Sequence, residues 1–213
     1  MELAALLLYV VGLVVCFGAQ SWLHRARTGG DAGFRRPPRE PRSPAWWGAV
    51  SFVAALVLGF VGLLLGTLGL VDTLLPLDRL PTVPWLSLLL ALVGFVGTVG
   101  AQQAMGRSWR IGVEATERTE LVESGVFGWS RNPVFLAMIA TLTGLTLVVP
   151  NVVQLSALAC LVIAVEVQIR WVEEPYLLRT HGAAYAGYAS RVGRFVPGVG
   201  RLPRRGATVP VSS

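Results

Sequence analysis

The chain contains no lysine: all 18 of its basic residues are arginine. Only 14% of its 213 residues are charged, where soluble domains carry about 25%. It has two cysteines, Cys16 and Cys160, and two histidines, His24 and His181. Neither cysteine has a companion cysteine or histidine at ligand spacing, so both are expected to be small buried hydrophobes and no metal site is expected. The amino end carries Glu2 and no basic cluster, and its apolar run exceeds that of a cleavable signal, so Leu3–Leu23 is expected to stay as a helix. No internal repeat is visible, which speaks against a transporter built from paired halves.

Apolar length is what the chain has in abundance. It is 54% hydrophobic with a mean hydropathy of +0.61, and a bilayer core of ~30 Å takes about 20 apolar residues per helix. The candidate spans are Leu3–Leu23, Trp46–Leu70, Trp85–Met105, Val134–Val149 and Val152–Trp171. Pro150 and Asn151 separate the last two, so residues 134–171 read as a helical hairpin with a tight turn. The expected fold is all-α: an integral membrane bundle of about five transmembrane helices. Residues 1–105 form the first three helices with a basic loop over 24–44, residues 106–200 the cofactor-binding and catalytic region, and residues 201–213 a disordered tail.

Arginine placement gives a topology. Arg25, Arg27, Arg35, Arg36, Arg39 and Arg42 lie between spans one and two, and Arg107, Arg110, Arg118 and Arg131 between spans three and four. The loop between spans two and three has Asp72, Asp78 and only Arg79. The positive-inside rule therefore puts the amino terminus outside and the carboxyl terminus in the cytoplasm. Topology and anionic headgroups account for the net charge of +6, and nucleic acid is not an expected partner. Glycines 59, 62 and 66, and again 94, 97 and 100, recur on one face of their helices. Small residues there let membrane helices approach closely.

The polar residues that invite chemistry fall in two stretches. Residues 129–135 read WSRNPVF: an arginine, an asparagine and a proline at the lip of an apolar run. As local structure, Asn132 suits a helix cap and Pro133 a first turn, while Arg131 suits an interfacial cation. The second stretch, 166–174, reads EVQIRWVEE. Glu166 sits in an otherwise apolar segment, where a carboxylate is expensive and marks a functional candidate. Pairing with Arg170 at i, i+4 is the cheaper alternative, and Arg170 with Glu173 at i, i+3 is a further one. The hairpin returns Arg131 to the side of Glu173, so both stretches are expected on one membrane face.

Together these stretches resemble the isoprenylcysteine carboxyl methyltransferase family and its relatives, the phospholipid N-methyltransferases. The first motif stands here as Leu121-Val122, Gly125-Val126-Phe127 and Arg131-Asn132-Pro133-Val134-Phe135. The second stands as Glu173-Glu174, His181-Gly182, Tyr185, Tyr188 and Arg194-Phe195-Val196-Pro197. Asn132 replaces a family histidine, and Phe127 and Phe135 replace tyrosines; asparagine cannot titrate, so no histidine base operates at that position. The resemblance implies a methyltransferase using S-adenosylmethionine. Leu121, Val122 and Phe127 would line the adenosine pocket; Arg131, Asn132, Pro133 and Phe135 would hold the cofactor's polar edge; Glu173 would accept from its amino group; and Glu114 matches a family glutamine if a small gap is allowed. Arg170 is the nearest equivalent of the family's substrate-orienting arginine and, with Glu173, forms the expected catalytic pair. The implied acceptor is lipophilic and reaches the site from a bacterial inner membrane. An NADPH-dependent reductase of the sterol-reductase type and a non-enzymatic membrane scaffold are the alternatives. The oligomeric state is not set by these residues.

Overall fold

The computed structural model describes residues 1–19, 21–23, 26, 40–75, 77, 80–105 and 121–203. Glu114, most of the basic loop 24–44 and residues 204–213 of the tail lie outside the described residues. The described chain is helical throughout: α1 (Glu2–Leu13), α2 (Pro44–Thr67), α3 (Val83–Met105), α4 (Pro133–Val148), α5 (Val152–Val167), α6 (Glu174–His181) and α7 (Ala183–Arg191). A π-helical turn, Val14–Ala19, extends α1, and a second, Gln168–Glu173, joins α5 to α6. Four helices are long and apolar enough to cross a membrane: Glu2–Leu23, Pro44–Thr67, Val83–Met105 and Val152–His181, with Pro133–Val148 a shorter apolar helix.

Helix starts follow local chemistry. Ser43 caps α2 by accepting from the Trp46 amide at 3.2 Å, ahead of Pro44 in the first turn. Asn151 caps α5 in the same way, accepting from the Gln154 amide at 2.8 Å while its own amide donates to the Gly62 carbonyl at 2.9 Å. That second bond ties the hairpin turn to α2.

The five apolar helices assemble as two antiparallel pairs, α2 with α5 and α3 with α4, and α1 lies against α2. Glycine makes both pairs possible. A Cβ on Gly94 of α3 would stand 2.5 Å from the Thr141 amide of α4, and one on Gly144 of α4 would stand 2.5 Å from the Ala91 amide of α3. On α2, a Cβ at Gly62 would meet the Gln154 side chain at 2.6 Å, and one at Gly66 would meet Val149 at 2.2 Å. Gly59 gives its space to the Tyr9 ring, whose hydroxyl donates to the Leu56 carbonyl at 2.8 Å. Gly100 differs from the expectation, since among the described residues nothing lies within 4 Å of a Cβ there. The hairpin arms α4 and α5 thus pack more on α3 and α2 than on each other. Gln102 is buried and donates to the Cys16 carbonyl at 3.4 Å, in the π-turn that extends α1.

Helix length places the polar end. At 1.5 Å per residue, α4 spans ~24 Å, less than a ~30 Å hydrocarbon core. The helical run Val152–His181 has 30 residues and measures ~45 Å by the same rise. Both arms share the turn at residues 149–151. The polar start of α4 is therefore drawn toward the hydrocarbon edge, while α6 rises beyond it on the same side. The amino end of α1 lies on the opposite face, because α1 runs in the direction of α3, with Gly12 near Phe95 and Cys16 near Gln102.

Gly144→Val should lower the thermal unfolding midpoint of purified protein, at a cost of about 1–3 kcal/mol or more, because backbone atoms block the added side chain. Gly100→Ala, with open space among the described residues, should leave the midpoint within error; thermal unfolding in detergent measures both.

Candidate active site

Glu174 is the centre of the site. It opens α6, and its carboxylate faces two arginines from distant parts of the chain. Oε1 lies 2.9 Å from the Arg131 guanidinium. Arg194 meets it bidentately, Nε to Oε1 at 2.9 Å and Nη2 to Oε2 at 2.8 Å. Side-chain exposure is 2% for Arg131, 10% for Glu174 and 14% for Arg194, so this triad is largely out of water. Two-point contact with a carboxylate fixes an arginine in plane as well as in distance. Hydrogen bonding to Glu174 raises the Arg194 guanidinium above its ordinary pKa.

Around the triad, backbone and tyrosines complete the frame. Arg131 also donates to the Tyr185 hydroxyl at 3.2 Å and to the Gly200 carbonyl. Its Nε is buried and has no partner among the described residues. Tyr188 donates to the Phe127 carbonyl at 2.7 Å, and the rings of Tyr185 and Tyr188 meet edge to face at 6.1 Å. Burial holds both phenols above their ordinary pKa; at Tyr185 the Arg131 charge opposes this, and Glu174 and then Glu173 add to it. Ser130 and Gly193 form an isolated parallel bridge, and the Arg131 amide donates to the Gly193 carbonyl at 3.0 Å. The loop before α4 is thus stitched to the segment after α7.

The residues expected from sequence fall as follows. Leu121 packs on the Tyr185–Tyr188 cluster, Phe127 is buried, and Val122 is half-buried beside them. Asn132 occupies the cap position of α4 without a side-chain cap bond; its amide donates instead to the Arg194 carbonyl at 3.0 Å. Pro133 opens α4, and Phe135 is half-buried against the bundle core. Glu173 is adjacent to Glu174 and accepts from Gln168 at 3.4 Å. That i, i+5 contact is the π-turn's periodicity, and such turns recur at functional sites. Arg170 takes the cheaper of its alternatives: it pairs with Glu166, not with Glu173, and both side chains are substantially exposed. Arg131 and Glu173 therefore stand on one face of the bundle, and Arg170 stands at its rim.

A model of the phospholipid methyltransferase family matches residues 82–184. Through that stretch, the chain is similar to the phospholipid methyltransferase family. The stretch runs from the start of α3 through the hairpin and the π-turn to the first residues of α7, just under half of the chain. The match points to a membrane methyltransferase. No curated protein and no solved structure matches the chain. The family stretch includes Arg131, Glu173 and Glu174, but Tyr185, which bonds Arg131, and Arg194, which bonds Glu174, follow it. No group of histidine, cysteine, aspartate or glutamate able to hold a metal is present among the described residues.

Sequence reasoning assigned no role to Glu174, Arg194 or Ser130, and named Tyr185 and Tyr188 only as parts of the second motif. The signal was available in part: a doublet of glutamates offers two carboxylates, and two arginines flank the apolar hairpin and its return. Nothing in the spacing says which carboxylate turns inward.

Glu174→Gln should destabilise the protein by about 3–5 kcal/mol, since it leaves two arginines with an uncompensated buried charge. Glu173→Gln, which removes a charge but keeps an oxygen able to accept from Gln168, should unfold within a few degrees of the parent. Thermal unfolding of the two variants side by side reads the difference.

Proposed function

We propose that the chain is a membrane-embedded, S-adenosylmethionine-dependent methyltransferase that acts on a lipophilic acceptor reaching it from the bilayer. One observation carries the reading: two polar segments separated by an apolar hairpin meet at the membrane lip, and their triad leaves Glu173 uncommitted to either arginine.

The residues present fit that cofactor. Its amino-acid end is zwitterionic and needs an acceptor for the ammonium and donors for the carboxylate. Glu173 supplies the first; the Arg131 Nε, buried with no partner among the described residues, supplies a donor. Leu121, Val122 and Phe127 give apolar surface for the adenosine, and Phe135 gives an aromatic face able to attract a cation. Asn132 and Pro133 set the start of α4 and hold the loop against Arg194. Glu114 belongs to the same expected set. When bound, S-adenosylmethionine supplies a methyl group on a sulfonium leaving group, so neither metal nor covalent enzyme intermediate is required.

The chain's own contribution is then placement. Effective molarities for well-oriented partners correspond to ~7–11 kcal/mol of barrier. The buried triad supplies rigidity, because moving Arg131 would also unseat Tyr185 and Arg194. Arg170 stands at the exposed rim, where exchanging Glu166 for a phosphate or carboxylate of the acceptor would aim that acceptor at the site. Inside the bundle an apolar cavity of about 70 Å³ is lined by residues including Tyr9, Phe95, Thr98, Met138, Leu142 and Leu161. The Tyr9 and Thr98 hydroxyls are satisfied by backbone carbonyls, so its wall is effectively apolar. Met138 lies one helical turn past Phe135, which favours an acceptor with a hydrocarbon tail. In this reading the site faces the cytoplasm of a bacterium and the amino terminus lies outside, as the arginine distribution requires.

Equilibrium binding to detergent-purified protein separates this reading from a reductase. S-adenosylhomocysteine should bind with micromolar affinity and NADPH should not. Glu173→Gln should weaken that binding about tenfold, the ~1.4 kcal/mol scale of one hydrogen bond to a charged group, with unfolding unchanged. Unchanged affinity would remove Glu173 from the site, and tight NADPH binding would overturn the methyltransferase.

A further inference from the structure

We propose that the turn at residues 193–200 is a lipid-contacting surface, seated at the headgroup–acyl boundary on the site's side of the bilayer. The proposal rests on the membrane-spanning bundle and not on methyl transfer.

The turn is built to hide its polar backbone. Val196-Pro197-Gly198-Val199 has proline second and a glycine third with φ +85°, closed by the Val199 amide donating to the Val196 carbonyl at 3.1 Å. The Arg194 amide donates back to the Val199 carbonyl at 2.8 Å. The Gly193 carbonyl accepts from the Arg131 amide, the Arg194 carbonyl from Asn132 and Ser130, and the Gly200 carbonyl from the Arg131 guanidinium. Five carbonyls of one short turn are therefore paired within the protein. Backbone can lie in or near hydrocarbon only when it is satisfied internally, whereas a turn meant for water has no need of this.

Its side chains divide accordingly. Phe195 packs inward against the core of the membrane bundle, which fixes the depth of the turn. Val196 and Val199 point outward and are 52% and 66% exposed. The bridge between Ser130 and Gly193 sets the turn beside the 126–129 loop, where Val126 and Trp129 are exposed in turn, Trp129 at 74%. The patch of Val126, Trp129, Val196 and Val199 thus continues the apolar surface of the spans. Exposed Arg201 flanks it, and its charge suits anionic headgroups; Arg191 beside it is already paired with Glu123 at 3.1 Å. Tryptophan at such a border is the usual occupant of the membrane interface. Lipid is the occupant that both the continuity with the bundle and the sign of the flanking charge select. Because the same carbonyls hold Ser130, Arg131 and Asn132, lipid contact at the turn also steadies one wall of the candidate site.

The test uses the full chain in lipid nanodiscs, with Cys16→Ala and Cys160→Ala as background and a bimane fluorophore on Val199→Cys. Lipids brominated near the top of the acyl chain should quench the probe at least twofold, and aqueous iodide should quench it little. The same probe on Ala183→Cys, at the exposed start of α7, should show the reverse and so calibrates the depth. Strong iodide quenching without bromine quenching at position 199 would overturn the proposal. Shielding from both quenchers would also overturn it, in favour of a second copy of the chain or another segment covering the patch.

Discussion

A single carboxylate holds this structure's functional end together. Glu174 is the shared counter-ion of two arginines, one before the apolar hairpin and one after α7, that would otherwise be buried charges without a partner carboxylate. Burying an ion pair is not in itself a strong source of stability, because desolvation offsets most of the attraction. Its value here is geometric. Each partner has further bonds, Arg131 to Tyr185 and Gly200, and Arg194 through its backbone to Asn132 and Ser130. Displacing any one of them strands the others, so the loop, the π-turn and the carboxyl-terminal segment occupy one arrangement.

The membrane bundle makes that junction possible. Glycines at the α3–α4 and α2–α5 contacts bring backbones close enough that the two hairpin arms are fixed by different partners. The arms end at different heights: α4 stops short while α5 continues through the π-turn into α6. The step between them is where a polar group can be reached from the water and an apolar molecule from the lipid. A methyltransferase acting on a membrane-dissolved acceptor needs access of both kinds.

Much of this was legible in the sequence. Apolar run lengths gave the helices, Pro150-Asn151 gave the hairpin turn, and small-residue spacing gave the contact faces on α2 and most of α3. The hairpin alone brought Arg131 to the side of the glutamate pair. Other features were hidden for physical reasons. Helical periodicity assumes 3.6 residues per turn, and the π-turn over Gln168–Glu173 breaks it, so the i, i+3 pairing of Arg170 with Glu173 gives way to a bond from Gln168 to Glu173, while the i, i+4 pairing of Glu166 with Arg170, also readable in the sequence, forms. The choice of Glu174 over its neighbour as the buried partner depends on that same rotation. Asn132 has the composition of a cap, but tertiary structure uses its amide to hold Arg194's carbonyl, while Asn151, with the same composition, does cap its helix. Gly100 fits the small-residue pattern and touches nothing among the described residues.

The central claim is that the two segments joined by Glu174 form one S-adenosylmethionine site. Ultraviolet photolabelling with radiolabelled S-adenosylmethionine, followed by peptide mapping of the intact membrane protein, tests it most directly. The account places the label in peptides from both 121–135 and 168–188, and excess S-adenosylhomocysteine should abolish it. Label confined to the first three helices, or label that S-adenosylhomocysteine does not displace, would contradict it.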